Sequence, residues 1–382
     1  MEEPTEKRIR KTSTGSENDG TSYESYENPM DSNIYLTYDI LRIVFTYLNG
    51  MDLGRAAMVC RLWLEAANHE KYTRGPDCFI EHYLHFTGKT RCIEKSNIKP
   101  AIGFFFIPEK IPTNIKGWIR DTLPQNCKAI MLYTSGIIIN KEEIEYKAFP
   151  NIVCALLPEA PNVKINSAIL CTEYAARTYQ HEFSLSLFEE HKKKLIDMID
   201  ETLIPNHDES TCLIFLCNDL KGAKMATLLA SAIQEYSGED RITSLWGGVV
   251  DNIIFSRPYE YCIAVLITGS IQSWSIVVDR RCSTKEQVIK RLRLFKNQVK
   301  LKKHSVGFMF ACKARGCGMY DEKNVESTIF KTLFPEVPLV GCFGNGEFGK
   351  NTMPIDEMDK KIEGKKDWYN QYSTIFMILT YG

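Results

Sequence analysis

The chain is 382 residues long, 44% hydrophobic and 25% charged, with a formal net charge of −1. That length exceeds one ordinary domain and predicts about two or three, and the near-neutral balance argues against a protein built mainly to bind nucleic acid. No run approaches the roughly 18 apolar residues of a membrane span, and the Met1 end shows no apolar leader, so the expectation is an intracellular protein with no membrane partner.

Thirteen cysteines lie scattered in apolar runs (Cys154, Cys212, Cys217, Cys262, Cys312), without a C-x-x-C spacing or a paired spacing to any histidine. Buried free thiols in a reducing compartment are the expectation, with no zinc site and no cofactor. Residues 1–32 are rich in Glu, Ser, Thr, Asn and Gly and have almost no aliphatics, the composition of a disordered tail. The basic cluster Lys7-Arg8-Ile9-Arg10-Lys11 within it fits a nuclear import signal, although a solvated charge run is the simpler reading.

From Asn33 the pattern turns helical. Ile40, Leu41, Val44, Phe45 and Leu48 form one apolar stripe, with Thr37 as the expected cap and Asp39 in the first turn. Asn49-Gly50, a pair tolerant of left-handed backbone, is expected to end this helix, and Asp52 to cap a second helix carrying Leu53, Ala56 and Ala57. A third carries Val59, Leu62, Trp63 and Ala66. Three such short helices cannot bury their own apolar surface, so residues 33–72 should lean on a partner.

Residues 73–100 read as a connector, broken at Gly75-Pro76. Apolar, β-branched runs then predict strands over 101–107, 129–133, 136–139, 152–157, 163–170 and 211–217. A helix over 184–203 turns Phe188, Leu195, Ile199 and Leu203 inward; a second buries Met225, Leu228, Leu229, Ala232, Ile233 and Tyr236 and closes at Gly238. Residues 261–268 and 273–278 read as a hairpin joined through 269–272. Thr284 and Gln287 have the spacing of a capping box ahead of a stripe of Val288, Leu292, Phe295 and Val299. Strands over 305–312, 337–343 and 372–380 and a helix over 325–334 complete an α+β body with α/β-type layers. It is expected as two lobes, 101–243 and 244–382, of mixed sheets flanked by helices.

Three stretches invite a chemical reading. Gly341–Gly349 (GCFGNGEFG) holds G-x-G-x-x-G at Gly344, Gly346 and Gly349, but Pro354 stands where a phosphate-facing helix should open. The expectation is a glycine-permitted tight loop, with Asn345 tolerating positive φ, and with Asn345 and Glu347 facing a cleft. Beside Cys312, Lys313 and Arg315 could depress a thiol pKa and hold an anion, yet the one histidine near in sequence is His304, and a buried structural Cys312 is the stronger reading. Trp246-Gly247-Gly248 with Asp251-Asn252 reads as backbone geometry. Lys290, Arg291, Arg293, Lys296, Lys300, Lys302 and Lys303 form a basic flank, a solvated face or a patch for an acidic partner rather than a nucleic-acid groove.

Leu36-Thr37-Tyr38-Asp39-Ile40-Leu41, Leu48, Asp52-Leu53 and Val59-Cys60-Arg61-Leu62-Trp63 together resemble the F-box, with Thr37 and Asp39 in place of its usual proline and glutamate. Both departures keep the chemistry of a helix start. Further on, GFMFACKARG at 307–316, PLVGCFGNGE at 338–347 and YSTIFMIL at 372–379 resemble the FIST domain, densely near the C-terminus and thinly between 70 and 210. The resemblance implies a non-catalytic substrate receptor of a Skp–cullin–F-box (SCF) ubiquitin ligase, working in cytoplasm and nucleus. Leu36, Asp39, Ile40, Leu41, Val44, Leu48, Leu53, Val59 and Trp63 would meet the Skp adaptor, and through it cullin and RING subunits. The FIST region would hold substrate proteins for ubiquitination and proteasomal degradation, a contribution of proximity rather than covalent chemistry. It places a candidate substrate or ligand cleft at Cys312, Lys313, Arg315, Gly344, Asn345, Gly346 and Glu347. A small-ligand-sensing FIST module is the alternative.

Overall fold

The structure, a computed structural model, describes residues 36–84, 96–112, 114–145, 150–160, 162–172, 185–201, 210–237, 242–255, 260–352 and 368–382. The tail expected over 1–32 with its basic cluster, and the expectations on Ser184, Leu203, Gly238 and Pro354, lie outside those residues.

Helices α1 (Tyr38–Phe45), α2 (Gly50–Ala56) and α3 (Arg61–Thr73) open the described chain. Leu41, Phe45, Leu53, Ala56, Ala66 and Ala67 make their shared core, with the Trp63 ring edge-on to Phe45 at 5.4 Å. The single stripe expected on α1 divides in two: Leu41 and Phe45 point in, whereas Ile40 and Val44 stand at the surface. Asn49, not Asp52, caps α2. Its side-chain oxygen accepts from the Asp52 backbone N–H at 2.8 Å, and its amide donates to the Asp52 carboxylate at 3.0 Å. Neither Asn49 nor Gly50 uses the left-handed backbone that the pair tolerates. Gly50 serves a close approach instead. Its N–H donates to the Ser96 carbonyl at 2.9 Å, and a Cβ there would lie 2.3 Å from the Ile98 carbonyl oxygen.

The chain continues through β1 (Asp77–His82), β2 (Pro100–Pro108), α4 (Ile115–Thr122), β3 (Lys128–Thr134), β4 (Gly136–Ile139), β5 (Glu142–Glu145) and β6 (Asn151–Pro158). Next come β7 (Val163–Thr172), α5 (Leu185–Asp200), β8 (Cys212–Cys217), α6 (Leu220–Ser237), β9 (Ser244–Val249), β10 (Asn252–Ile254) and β11 (Glu260–Gly269). The last part holds β12 (Ile271–Val278), α7 (Lys285–Gln298), β13 (His304–Cys312), α8 (Cys317–Tyr320), α9 (Val325–Leu333), β14 (Leu339–Gly344), β15 (Glu347–Gly349), β16 (Tyr369–Asn370) and β17 (Thr374–Tyr381).

These strands build three mixed sheets, ordered β1-β6-β2-β3-β10, β16-β15-β9-β8-β11-β7 and β12-β17-β13-β14-β4-β5. Each holds a parallel pair, β2 with β3, β8 with β9, β13 with β14, joined through one helix in the first two and through α8 and α9 in the third. Antiparallel strands flank every pair. Residues alternate across each sheet. Phe104, Phe106, Ile214, Leu216, Phe308, Phe310 and Trp246 meet in one central core, while Phe105, Phe215 and Met309 face the other way beneath α4, under α5 and α6, and under α7 and α9. Strands buried on both faces explain the continuous apolar runs of the sequence.

Two expectations need correction. Leu228 and Tyr236 of α6 are exposed, because Met225, Leu229 and Ile233 already fill its sheet-facing side. The strands over 261–268 and 273–278 are not a hairpin: β11 pairs with β7 and β8, whereas β12 pairs with β17 in another sheet. Gly269, at φ +101°, makes the turn away, and the following Ser270 N–H donates to the Asn162 carbonyl at 2.9 Å. All three sheets contain strands from both sides of residue 243.

Candidate functional site

The helical unit presents an apolar face. Ile40, Val44 and Val59 are 41%, 45% and 61% exposed, with Ile43, Tyr47, Met58, Leu62 and Leu64 also exposed; Leu36, in the segment before, is 43% exposed. Asp39 is exposed too, and Leu48 and Trp63 are half-buried. Leu41 and Leu53 are buried in the unit's own core and cannot touch a partner without unfolding it. Arg74, which no sequence motif marks, ties this unit to the body. Its guanidinium donates to the Phe45 carbonyl at 2.9 Å, to the Asn97 carbonyl and to the Glu70 carboxylate at 2.9 Å.

The seven residues expected to line a cleft do not face one space. Glu347 is fully buried: it accepts from Ser373 Oγ at 2.8 Å, from the Ser373 N–H at 3.2 Å and from the Gly346 N–H at 3.1 Å. Burial pushes its carboxyl up to about 7, against the lowering pull of those bonds and one from Cys312. Cys312 is raised by burial and by the Glu347 carboxylate, so the thiol is not activated. The histidine weighed as its base, His304, starts the same strand that Cys312 ends, about 26 Å away at roughly 3.3 Å per residue. The positive φ of the glycine turn falls on Gly346 (+116°), and the tolerance of Asn345 is not used. No helix follows the G-x-G-x-x-G, since Glu347–Gly349 is strand.

Arg315 is 1% exposed and fully engaged. It donates to Glu326 Oε1 at 2.8 Å, to Tyr320 Oη at 2.6 Å and to the carbonyls of Asp279, Cys282 and Tyr372. Thr374 Oγ1 donates to the second Glu326 oxygen at 2.5 Å. This is a buried staple between loops, with no donor left for an anion. Nearby, Glu145 accepts from the Cys317 N–H at 2.8 Å, and its bond to the Cys317 thiol is the chief reason that thiol is raised.

Lys313 does border a shallow recess, shared with Ser135, Glu145 and Phe343 and too tight to admit a water molecule. It lies where the C-terminal ends of the parallel strands converge, the usual place for a site in layered α/β folds. Backbone bonds show the convergence: Asp251 N–H to the Tyr133 carbonyl at 2.9 Å, Asn345 N–H to Val249 at 2.8 Å and Lys313 N–H to Gly344 at 2.9 Å. Buried polar atoms without a hydrogen-bond partner gather at the same strand ends: Tyr133 Oη, Ser135 Oγ, Asn218 Oδ1 and Asp251 Oδ2. The Asp251 carboxyl is raised by burial and by Glu109, with Lys313 pulling the other way. Ser135 was legible only as a polar residue interrupting two apolar runs, and Asp251 as part of a turn.

Comparison with known proteins bears on the helical unit first. The F-box domain model matches residues 35–74. The chain is 24% identical to F-box only protein 22 of Homo sapiens and equally to that of Pongo abelii, over 90% of this chain and 93% of each relative. It is 31% identical to an F-box/LRR-repeat protein of Arabidopsis thaliana, over 20% of this chain and 14% of that one. Among solved structures, cyanuric acid hydrolase of A. caulinodans is similar at a TM-score of 0.39 and 8% identity, covering 80% of this chain and 99% of that one. Residues 35–74 are thus an F-box, on the helices that carry the apolar face, and the similarity to F-box only protein 22 runs on through the body.

Proposed function

We propose that the chain is the substrate-recognition subunit of an SCF-type ubiquitin ligase. Its F-box docks the Skp adaptor, which carries cullin and RING subunits, and its FIST body holds substrate proteins for ubiquitination and proteasomal degradation, in cytoplasm and nucleus. The observation that carries this reading is the exposure of Ile40, Val44 and Val59 on an F-box whose core is filled by other residues. The receptor performs no covalent step. Co-expression with the adaptor tests the reading: Ile40→Asp with Val44→Asp should abolish co-purification and leave the melting temperature unchanged, since both side chains are exposed. Leu41→Ala should act differently, costing about 2–5 kcal/mol of F-box stability as a core truncation. An Ile40→Asp/Val44→Asp chain that still co-purifies sinks the proposal.

A second reading, a small-ligand-sensing FIST module, is favoured by the unpartnered atoms of Tyr133, Ser135, Asn218 and Asp251 around the converging strand ends. It predicts a metabolite that raises the melting temperature by mass action and loses its effect in Asp251→Ala. A flat screen counts against it.

A further inference from the structure

The basic flank read from the sequence lies on α7 and the segment after it. Between Lys285 and Lys303, eight of nineteen residues are Lys or Arg and one, Glu286, is acidic. Lys290, Arg293, Lys300 and Lys303 are exposed. Among the described residues none of these four forms an ion pair, whereas Lys285 pairs with Glu322 beyond the strip. A merely solvated face looks different in this same protein. On α5, exposed Glu189 and Glu190 interleave with Lys192, Lys193 and Lys194, and Lys192 sits 3.7 Å from Glu189. On α7, Lys290 and Arg293 are one turn apart and of like charge, an arrangement that costs helix stability.

The platform beneath the charges is rigid. Both halves of the Thr284–Gln287 capping box are made, Val288, Leu292 and Phe295 are buried, and Arg291 donates to the Val277 carbonyl at 3.2 Å. At its far end the strip reaches the F-box junction, where a Cβ on Gly75 would lie 2.7 Å from His304 Nδ1. Lys290 and Arg293 stand on this helix and Lys300 and Lys303 on the segment after it, and cations with no internal counter-charge attract a polyanion. The chain's net charge of −1 disfavours nucleic acid as that polyanion. We infer that Lys290, Arg293, Lys300 and Lys303 form a docking strip for an acidic protein segment, rich in Asp and Glu, apart from the adaptor face and independent of it.

The test is fluorescence anisotropy of a labelled deca-glutamate peptide against the full chain, over a series of salt concentrations. The wild type should bind with an affinity that falls steeply with salt. Lys290→Glu/Arg293→Glu/Lys300→Glu should bind at least tenfold more weakly, with melting temperature and adaptor co-purification unchanged; the corresponding glutamine variant should fall between. The inference is overturned if the wild type does not bind the peptide, or if the triple variant binds equally well. It is also overturned if single-stranded DNA binds more tightly than the peptide and is lost in the same variant. Failure of adaptor binding in the wild type would strike the ligase reading alone.

Discussion

Ile40 and Leu41 are neighbours with opposite roles, one exposed and the other sealed in the F-box core. Glu347 and Glu143 show the same point for charge: Glu347, expected to face a cleft, and Glu143, which no motif marks, are both buried, and burial pushes each to about 7. Their folded-state values lie above the ordinary 4.5 of the unfolded chain, so the native state binds more protons between about pH 4.5 and 7. Stability from these groups is therefore full below that window and is lost as pH rises through 7. Urea midpoints at about pH 5.5 and 7.5 should show it, with Glu347→Gln removing a share on the order of 2 kcal/mol from the difference. An unchanged difference in the variant would mean that Glu347 stays ionised. The sequence made apolar positions legible but not which of two adjacent ones faces in, because three helices this short can pack by either side of their stripes until α2 and α3 are docked.

At the scale of elements, α7 was fully legible: Thr284 and Gln287 announce its start, and both bonds form. The strands were legible as strands but not as partners. β11 and β12, one residue apart, belong to different sheets, since partner choice rests on distant residues such as Ile375 and Met377 opposite β12. The α2 contact was equally hidden, because nothing near Gly50 in sequence foretells the Ile98 carbonyl against it. Gly50→Ala should cost about 1–3 kcal/mol by overpacking. Hydrogen exchange should speed up in α2 and α3 and stay unchanged in β17; equal protection in both would show that the contact yields freely.

For the whole molecule, the body is three related strand–helix–strand units that exchange strands. β4 leaves the first unit for the third sheet, β10 leaves the second for the first, and β15 leaves the third for the second. No sheet can therefore melt without breaking the others, and the body should unfold in one cooperative transition. Strand β17 lies between β12 and β13 in the interior of its sheet. A chain lacking Thr374–Gly382 should consequently be insoluble or expanded on size exclusion, whereas a compact soluble product would make β17 dispensable. Ser135 and Ser270 carry a further consequence. Each is the lone residue between two strands of different sheets, and beyond Ser135 the residues Ile137 and Ile139 face the centre while Ile138 faces the helices. One residue inserted beside either serine would exchange inside for outside along the next strand. Chain length at these two crossings acts on the fold as a reading frame acts on a message: substitutions alter single letters, and a shift garbles everything downstream.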